Sequence, residues 1–135
     1  MASGDADTRQ RVLLVDDDPT LLEVLATALH LEDLDVIPAS DGEAALRIAA
    51  DGAVDLVVCD VGLPDPDGLE VCRRLRSDPR TAGLPVILLT GRDTDEGRAL
   101  GAAAGCDAYL TKPFSPLELL ELIRGARAGD PTGSA

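Results

Sequence analysis

VLLVDDDP, residues 12–19, joins an unbroken apolar run to three consecutive aspartates and a proline. An apolar run without alternation suits a strand buried on both faces, the habit of parallel sheets. Asp18 and Pro19 then supply an N-cap and a proline at the first helical position, so a helix opens where the strand stops. Working outward, the same grammar repeats. Apolar segments 55–59, 85–89 and 106–110 end at Asp60, at Thr90 and at Thr111-Lys112, and 35–39 reads as a further short strand. Between the strands lie helical segments at 19–31, 41–50, 69–77 and 93–104, with a last helix at 116–127 behind Ser115-Pro116. Ser40 and Asp41, followed by Glu43, resemble a capping box.

Strand and helix alternate five times, which predicts an α/β fold: a five-stranded parallel sheet with helices on both faces, because parallel neighbours need crossover helices. The expected strand order is the flavodoxin-like 2-1-3-4-5. One domain over residues 11–127 is expected, with disordered tails at 1–10 and 128–135, the latter a terminus or the start of a linker.

Composition narrows the function. The 135 residues are 45% apolar but include one Phe, one Tyr and no Trp, so aromatic platforms for bases or sugars are absent. A formal charge of -13, from 12 basic and 25 acidic residues, opposes direct binding to nucleic acid or anionic lipid. No apolar stretch is long enough to cross a bilayer and the N-terminus has no signal-peptide core, so the reading is a cytoplasmic protein without membrane insertion. Cys59, Cys72 and Cys106 form no CxxC pair, and the only histidine, His30, is far from them in sequence; zinc spacing is absent and the thiols read as reduced core residues.

In a parallel sheet, ligands bind beyond the carboxyl ends of the strands, where strand order reverses. Asp16, Asp17 and Asp60 would converge there. Packed carboxylates repel unless a cation lies between them, and hard oxygen donors suit Mg²⁺. Lys112 offers a cation to a phosphoryl oxygen or a carboxylate, and Thr90 a hydroxyl.

Taken together, VLLVDDDP, DVGLPDPDG (60–68), LLTG (88–91) and AYLTKPF (108–114) resemble the response-regulator receiver domain of two-component signalling, over about residues 11–127. The resemblance implies that Asp60 is the phosphoacceptor, that Asp16 and Asp17 hold the metal, and that Gly62 gives it a backbone carbonyl. Thr90 would be the switch hydroxyl, Lys112 the phosphate-binding lysine and Tyr109 the aromatic switch residue, with Lys112-Pro113 cis. The donor would be a phosphohistidine on a sensor kinase or phosphotransfer protein. The chain would catalyse its own phosphorylation and dephosphorylation, and the surface of the fourth helix, fifth strand and fifth helix would be read by a downstream protein or an effector domain.

Several positions depart from the family's habits. Gly62 and Arg92 stand at variable positions beside the site, and Gly91 replaces a more usual Ala. Asp107-Ala108 and Leu122 lack residues that pair charges in dimers of transcription-factor receivers, and Leu117 falls outside the apolar face of the last helix. An enzyme reading competes. Asp16 to Thr20 fits the DxDx[TV] pattern of haloacid-dehalogenase-like phosphatases, with Asp16 as nucleophile, Asp18 as acid/base and Thr20 as helper, though Asp60 would then have no role. A flavin binder would need a Ser/Thr-rich phosphate loop and aromatic neighbours, which are missing.

Overall fold

A computed structural model describes residues 9–91 and 94–127. Five strands, β1 (Arg11–Val15), β2 (Asp35–Ala39), β3 (Leu56–Asp60), β4 (Val86–Thr90) and β5 (Ala108–Thr111), alternate with five helices. The helices are α1 (Pro19–His30), α2 (Gly42–Ala50), α3 (Gly68–Ser77), α4 (Asp95–Ala104) and α5 (Pro116–Arg127). All strand pairs are parallel and the order is β2-β1-β3-β4-β5, as the alternation predicts.

Alternate residues of each central strand feed two separate cores, as the two-residue period of a strand requires. Leu13, Val15, Val57, Cys59, Val86 and Leu88 pack with α2, α3 and α4. Val12, Leu14, Leu56, Val58, Ile87 and Leu89 pack with Leu25 and Leu29 of α1 and with Leu119 and Ile123 of α5. Both faces of β1, β3 and β4 are therefore dry, which explains their lack of polar alternation.

The sequence reading is adjusted at several element ends. Asp41, not Ser40, caps α2: its carboxylate accepts the Ala44 N–H at 2.8 Å, leaving no capping box there. A reciprocal box occurs instead at α5, where Ser115 Oγ accepts from the Glu118 N–H at 3.2 Å and Glu118 Oε1 accepts from the Ser115 N–H at 2.8 Å. Helix α4 starts at Asp95, with Thr94 as its cap, later than the expected residue 93. Strand β5 starts at Ala108 because Cys106 and Asp107 are otherwise engaged. The Cys106 N–H closes the end of α4 on the Gly101 carbonyl at 3.2 Å, beside Gly105 at φ 99°. The Asp107 carboxylate accepts from the Val86 N–H and from Arg76 Nη2, both at 2.8 Å.

Arg76 does more than pair with Asp107. Its guanidinium also donates to the Gly105, Ala82 and Leu84 carbonyls at 2.8, 3.1 and 2.6 Å, tying the end of α3 to the segments that enter β4 and β5. The clamp lies at the amino ends of the strands and leaves their carboxyl ends clear. Cys59 and Cys72 are buried and Cys106 half-buried, all with free thiols. Burial pushes all three thiols up, Cys72 to about 11, which fits inert core residues rather than nucleophiles. The tail segments 1–8 and 128–135, and the variable position Arg92, lie outside the described residues.

Candidate functional site

β1 and β3 are neighbours, and each is followed by a helix on the opposite side of the sheet, so their carboxyl ends bound an open crevice. Asp16 follows β1 directly, with its backbone N–H on the Ala39 carbonyl at 3.1 Å. The residue is only 1% exposed, and both carboxylate oxygens are used: Oδ1 accepts from the Asp18 N–H at 2.9 Å, and Oδ2 from Lys112 Nζ at 3.1 Å. Asp17 is exposed. Asp18 caps α1 by accepting from the Thr20 and Leu21 N–H groups at 3.0 and 3.4 Å.

Asp60 ends β3 and is 7% exposed. Its Oδ1 lies 3.2 Å from Lys112 Nζ. Burial, and after it the charge of Asp16, raises the Asp60 pKa above the usual carboxylate value. Lys112 and a hydrogen bond from the Gly62 backbone oppose that rise without cancelling it. For Lys112, burial alone would lower the pKa, but the hydrogen bond to Asp16 and the charges of both carboxylates outweigh it and the net shift is upward. The ammonium therefore stays charged between its two partners.

One oxygen from each of Asp16, Asp17 and Asp60 can be chosen so that all three lie within 4.8 Å of one another. Among the described residues this is the one such cluster of potential metal-ligating groups. Three hard anionic donors, one of them exposed, suit a divalent cation that keeps part of its water shell.

β4 and β5 complete the edge. The Lys112 N–H donates to the Thr90 carbonyl at 2.6 Å, fixing the end of β5 against that of β4, and Lys112-Pro113 is cis. Thr90 is buried at the last position of β4. A cleft of about 670 Å³ opens over Asp60 and is lined by Gly62, Thr90, Lys112, Leu69, Leu100 and Tyr109, among others. The residues singled out in the sequence thus divide between two overlapping groups: the carboxylate cluster of Asp16, Asp17 and Asp60, and the cleft that shares Asp60 with Gly62, Thr90, Tyr109 and Lys112.

The sequence pattern does not distinguish Gly68 from other loop glycines. A Cβ there would press on the Asp60 carbonyl oxygen and lie 2.7 Å from the Val61 Cα, so only glycine lets α3 begin against the end of β3. No local pattern announces this, because the crowding atoms belong to the far end of a loop. Asp67 caps α3, its carboxylate accepting from the Glu70 N–H at 2.9 Å, and its residue type alone suits that place.

A model of the response regulator receiver domain matches residues 12–124. The chain is similar to the transcriptional regulatory protein TrcR of Mycobacterium tuberculosis, 47% identical over 116 residues that cover 85% of this chain and 44% of TrcR. It is also similar to the DNA-binding response regulator MtrA of Mycolicibacterium smegmatis, 41% identical over 116 residues, 86% of this chain and 50% of MtrA. The chain spans about half the length of these curated relatives. The crystal structure of the BeF3-activated N-terminal receiver domain of Klebsiella pneumoniae RstA superposes with a TM-score of 0.78 at 33% identity, covering 85% of this chain and 96% of that one. The phosphatase reading is not favoured: Asp18, its required acid/base, is engaged as a helix cap, and Thr20 is exposed. Match and fold agree, and the chain belongs to the response regulator receiver domain family of two-component systems.

Proposed function

We propose that Asp60 accepts a phosphoryl group from a phosphohistidine on a sensor histidine kinase or phosphotransfer protein. The observation that carries this reading is the buried Asp60 carboxylate, held between Lys112 and the Asp16 and Asp17 carboxylates at the mouth of a cleft. An Asp60 oxygen attacks phosphorus, a P–O bond forms, and the P–N bond breaks with its electron pair returning to the imidazole. The product is an acyl phosphate.

Asp16, Asp17 and Asp60, with the Gly62 carbonyl, would hold Mg²⁺, and the donor chemistry fits it. When bound, the ion supplies positive charge to the transferring phosphoryl oxygens. Lys112 keeps its charge in the crevice and can turn from Asp60 to a phosphoryl oxygen a bond length further out. The open cleft over Asp60 gives the donor a place to approach and be positioned, and positioning of this kind carries much of phosphoryl transfer. Gly62 brings no side chain over Asp60: a Cβ there would still lie 3.6 Å from Oδ2. Hydrolysis of the acyl phosphate at the same site returns the resting state.

Phosphorylation adds acceptor oxygens within reach of Thr90, and its movement leaves room for Tyr109, which lines the same cleft. The surface of α4, β5 and α5 then changes for a downstream protein or an effector domain. Asp107, spent internally on Arg76 and Val86, is a poor donor to charge pairing between copies. A cytoplasmic setting follows from the kinase partner; no helix among the described residues is long and apolar enough to cross a membrane. Acetyl phosphate with Mg²⁺ should label wild-type protein and not Asp60→Asn; labelling of Asp16 instead would return the chain to phosphatase chemistry.

A further inference from the structure

Tyr109 is the chain's only tyrosine, and there is no tryptophan. Its ring lies against α4 at two glycines four residues apart. A Cβ at Gly101 would fall 3.1 and 3.3 Å from the ring's Cδ1 and Cε1, and one at Gly97 would fall 2.6 Å from the hydroxyl oxygen. The ring therefore occupies the space that any larger residue at position 97 would need. Arg98, between the two glycines, places its guanidinium 5.3 Å from the ring centroid, within cation–π range. Residues four apart share one helix face, so the glycines present a notch with the edge and tip of the ring inside it.

Glycine is a weak helix residue, and two within the ten residues of α4 oppose its formation. Another helical glycine, Gly125 in α5, has nothing within 4 Å of where its Cβ would be. At positions 97 and 101 the aromatic ring is already there, together with Thr94 Oγ1 at 3.0 Å from a Cβ at 97 and Cys106 Sγ at 3.3 Å from one at 101.

We infer that Gly97 and Gly101 are positioning residues for Tyr109, and that α4, through this notch and Arg98, sets where the ring rests. Gly97 governs the hydroxyl end and Gly101 the ring edge. A methyl group at position 97 drives the tip of the ring off α4, since a side-chain end yields more readily than a helix backbone. At position 101 the ring carbons must give by only a few tenths of an ångström, so the displacement is smaller. The seat itself stands on contacts in the unphosphorylated chain, while its consequence for signalling rests on the proposed role of Asp60.

The sole tyrosine makes the test specific, because intrinsic emission reports Tyr109 alone. Acrylamide quenching is measured on wild type, Gly97→Ala, Gly101→Ala and Gly125→Ala, without phosphate or metal. Gly97→Ala should raise the quenching constant roughly two-fold, as a half-buried ring becomes exposed. Gly101→Ala should raise it less, and Gly125→Ala should leave it unchanged. Thermal midpoints give a second measure should Gly97→Ala fold poorly: the substitution should lower the midpoint of wild type by clearly more than that of Tyr109→Ala, where only Thr94 Oγ1 is left to crowd the methyl. Equal quenching for Gly97→Ala and Gly125→Ala, or the same midpoint loss with and without the ring, overturns the seat. If beryllofluoride with Mg²⁺ leaves wild-type emission unchanged while Gly97→Ala still exposes the ring, the seat stands and the switch role of Tyr109 falls.

Discussion

Asp60→Asn should make the metal-free protein more stable, although it deletes an ion pair. In the wild type, Lys112 at 3.2 Å attracts the Asp60 carboxylate by about 5 kcal/mol at an effective dielectric of about 20. Asp16, with an oxygen within 4.8 Å, repels it by about 3.5 kcal/mol on the same scale, and the exposed Asp17 adds less because solvent screens it. The Lys112 attraction and the carboxylate repulsion largely offset each other, and burial of a charge that is 7% exposed, the strongest influence on Asp60, tips the balance against ionisation, while the Gly62 N–H returns part of it. Asparagine keeps the shape, removes the charge and leaves Lys112 paired with Asp16 at 3.1 Å. The expected gain is about 1 kcal/mol at neutral pH, or roughly 3–5 °C in thermal midpoint for a domain of this size.

The pH dependence has a definite sign. Asp60's folded pKa lies above its unfolded value, close to 3.8, so the folded state holds the proton more tightly. Wild-type stability therefore falls as pH rises through that window, and the advantage of the Asn variant grows in step; well below the window it disappears. Thermal melts in EDTA across mildly acidic to neutral pH measure this. Mg²⁺ should then narrow or reverse the difference, because it stabilises the wild type by about 2.7 kcal/mol at a hundredfold excess over its dissociation constant and finds one anionic ligand fewer in the variant. A lower midpoint for Asp60→Asn in EDTA at neutral pH would refute the electrostatic reasoning.

Further outcomes follow from particular contacts. Gly68→Ala should destabilise by about 1–3 kcal/mol in denaturant melts, because its methyl meets backbone at the end of β3, and should impair acetyl phosphate labelling along with stability. Lys112→Met should keep a cooperative fold by circular dichroism yet lower the labelling rate by roughly two orders of magnitude, the scale of losing one preplaced charge-stabilising donor. Asp107→Ala should lower stability by about 2–3 kcal/mol in urea, since the Val86 N–H and Arg76 both lose their acceptor, with labelling at Asp60 unaffected.

The apolar runs that fill β1, β3 and β4 are legible because both faces of each strand are buried, so each run stops where the strand stops, at Asp16, Asp60 and Thr90. Less was legible where distant residues decide. Ser40 and Asp41 are equivalent cap candidates in sequence, and only the path of the chain out of β2 selects Asp41. Cys106 and Asp107 look like the start of a strand until Gly101, Val86 and Arg76 claim them. The pairing of Lys112 with Asp16 as well as Asp60 depends on the three strand ends standing side by side, and no spacing along the chain encodes it. The Tyr109 seat joins an aromatic residue of β5 to glycines of α4, and those glycines alone read as points of looseness.

Intact-protein mass spectrometry after acetyl phosphate and Mg²⁺, with borohydride reduction and peptide mapping, tests the central claim most directly. One phosphoryl group on wild type, mapped to Asp60, absent in EDTA and absent from Asp60→Asn, is the predicted result. Undiminished labelling of Asp60→Asn, or a label mapped to Asp16, would contradict it.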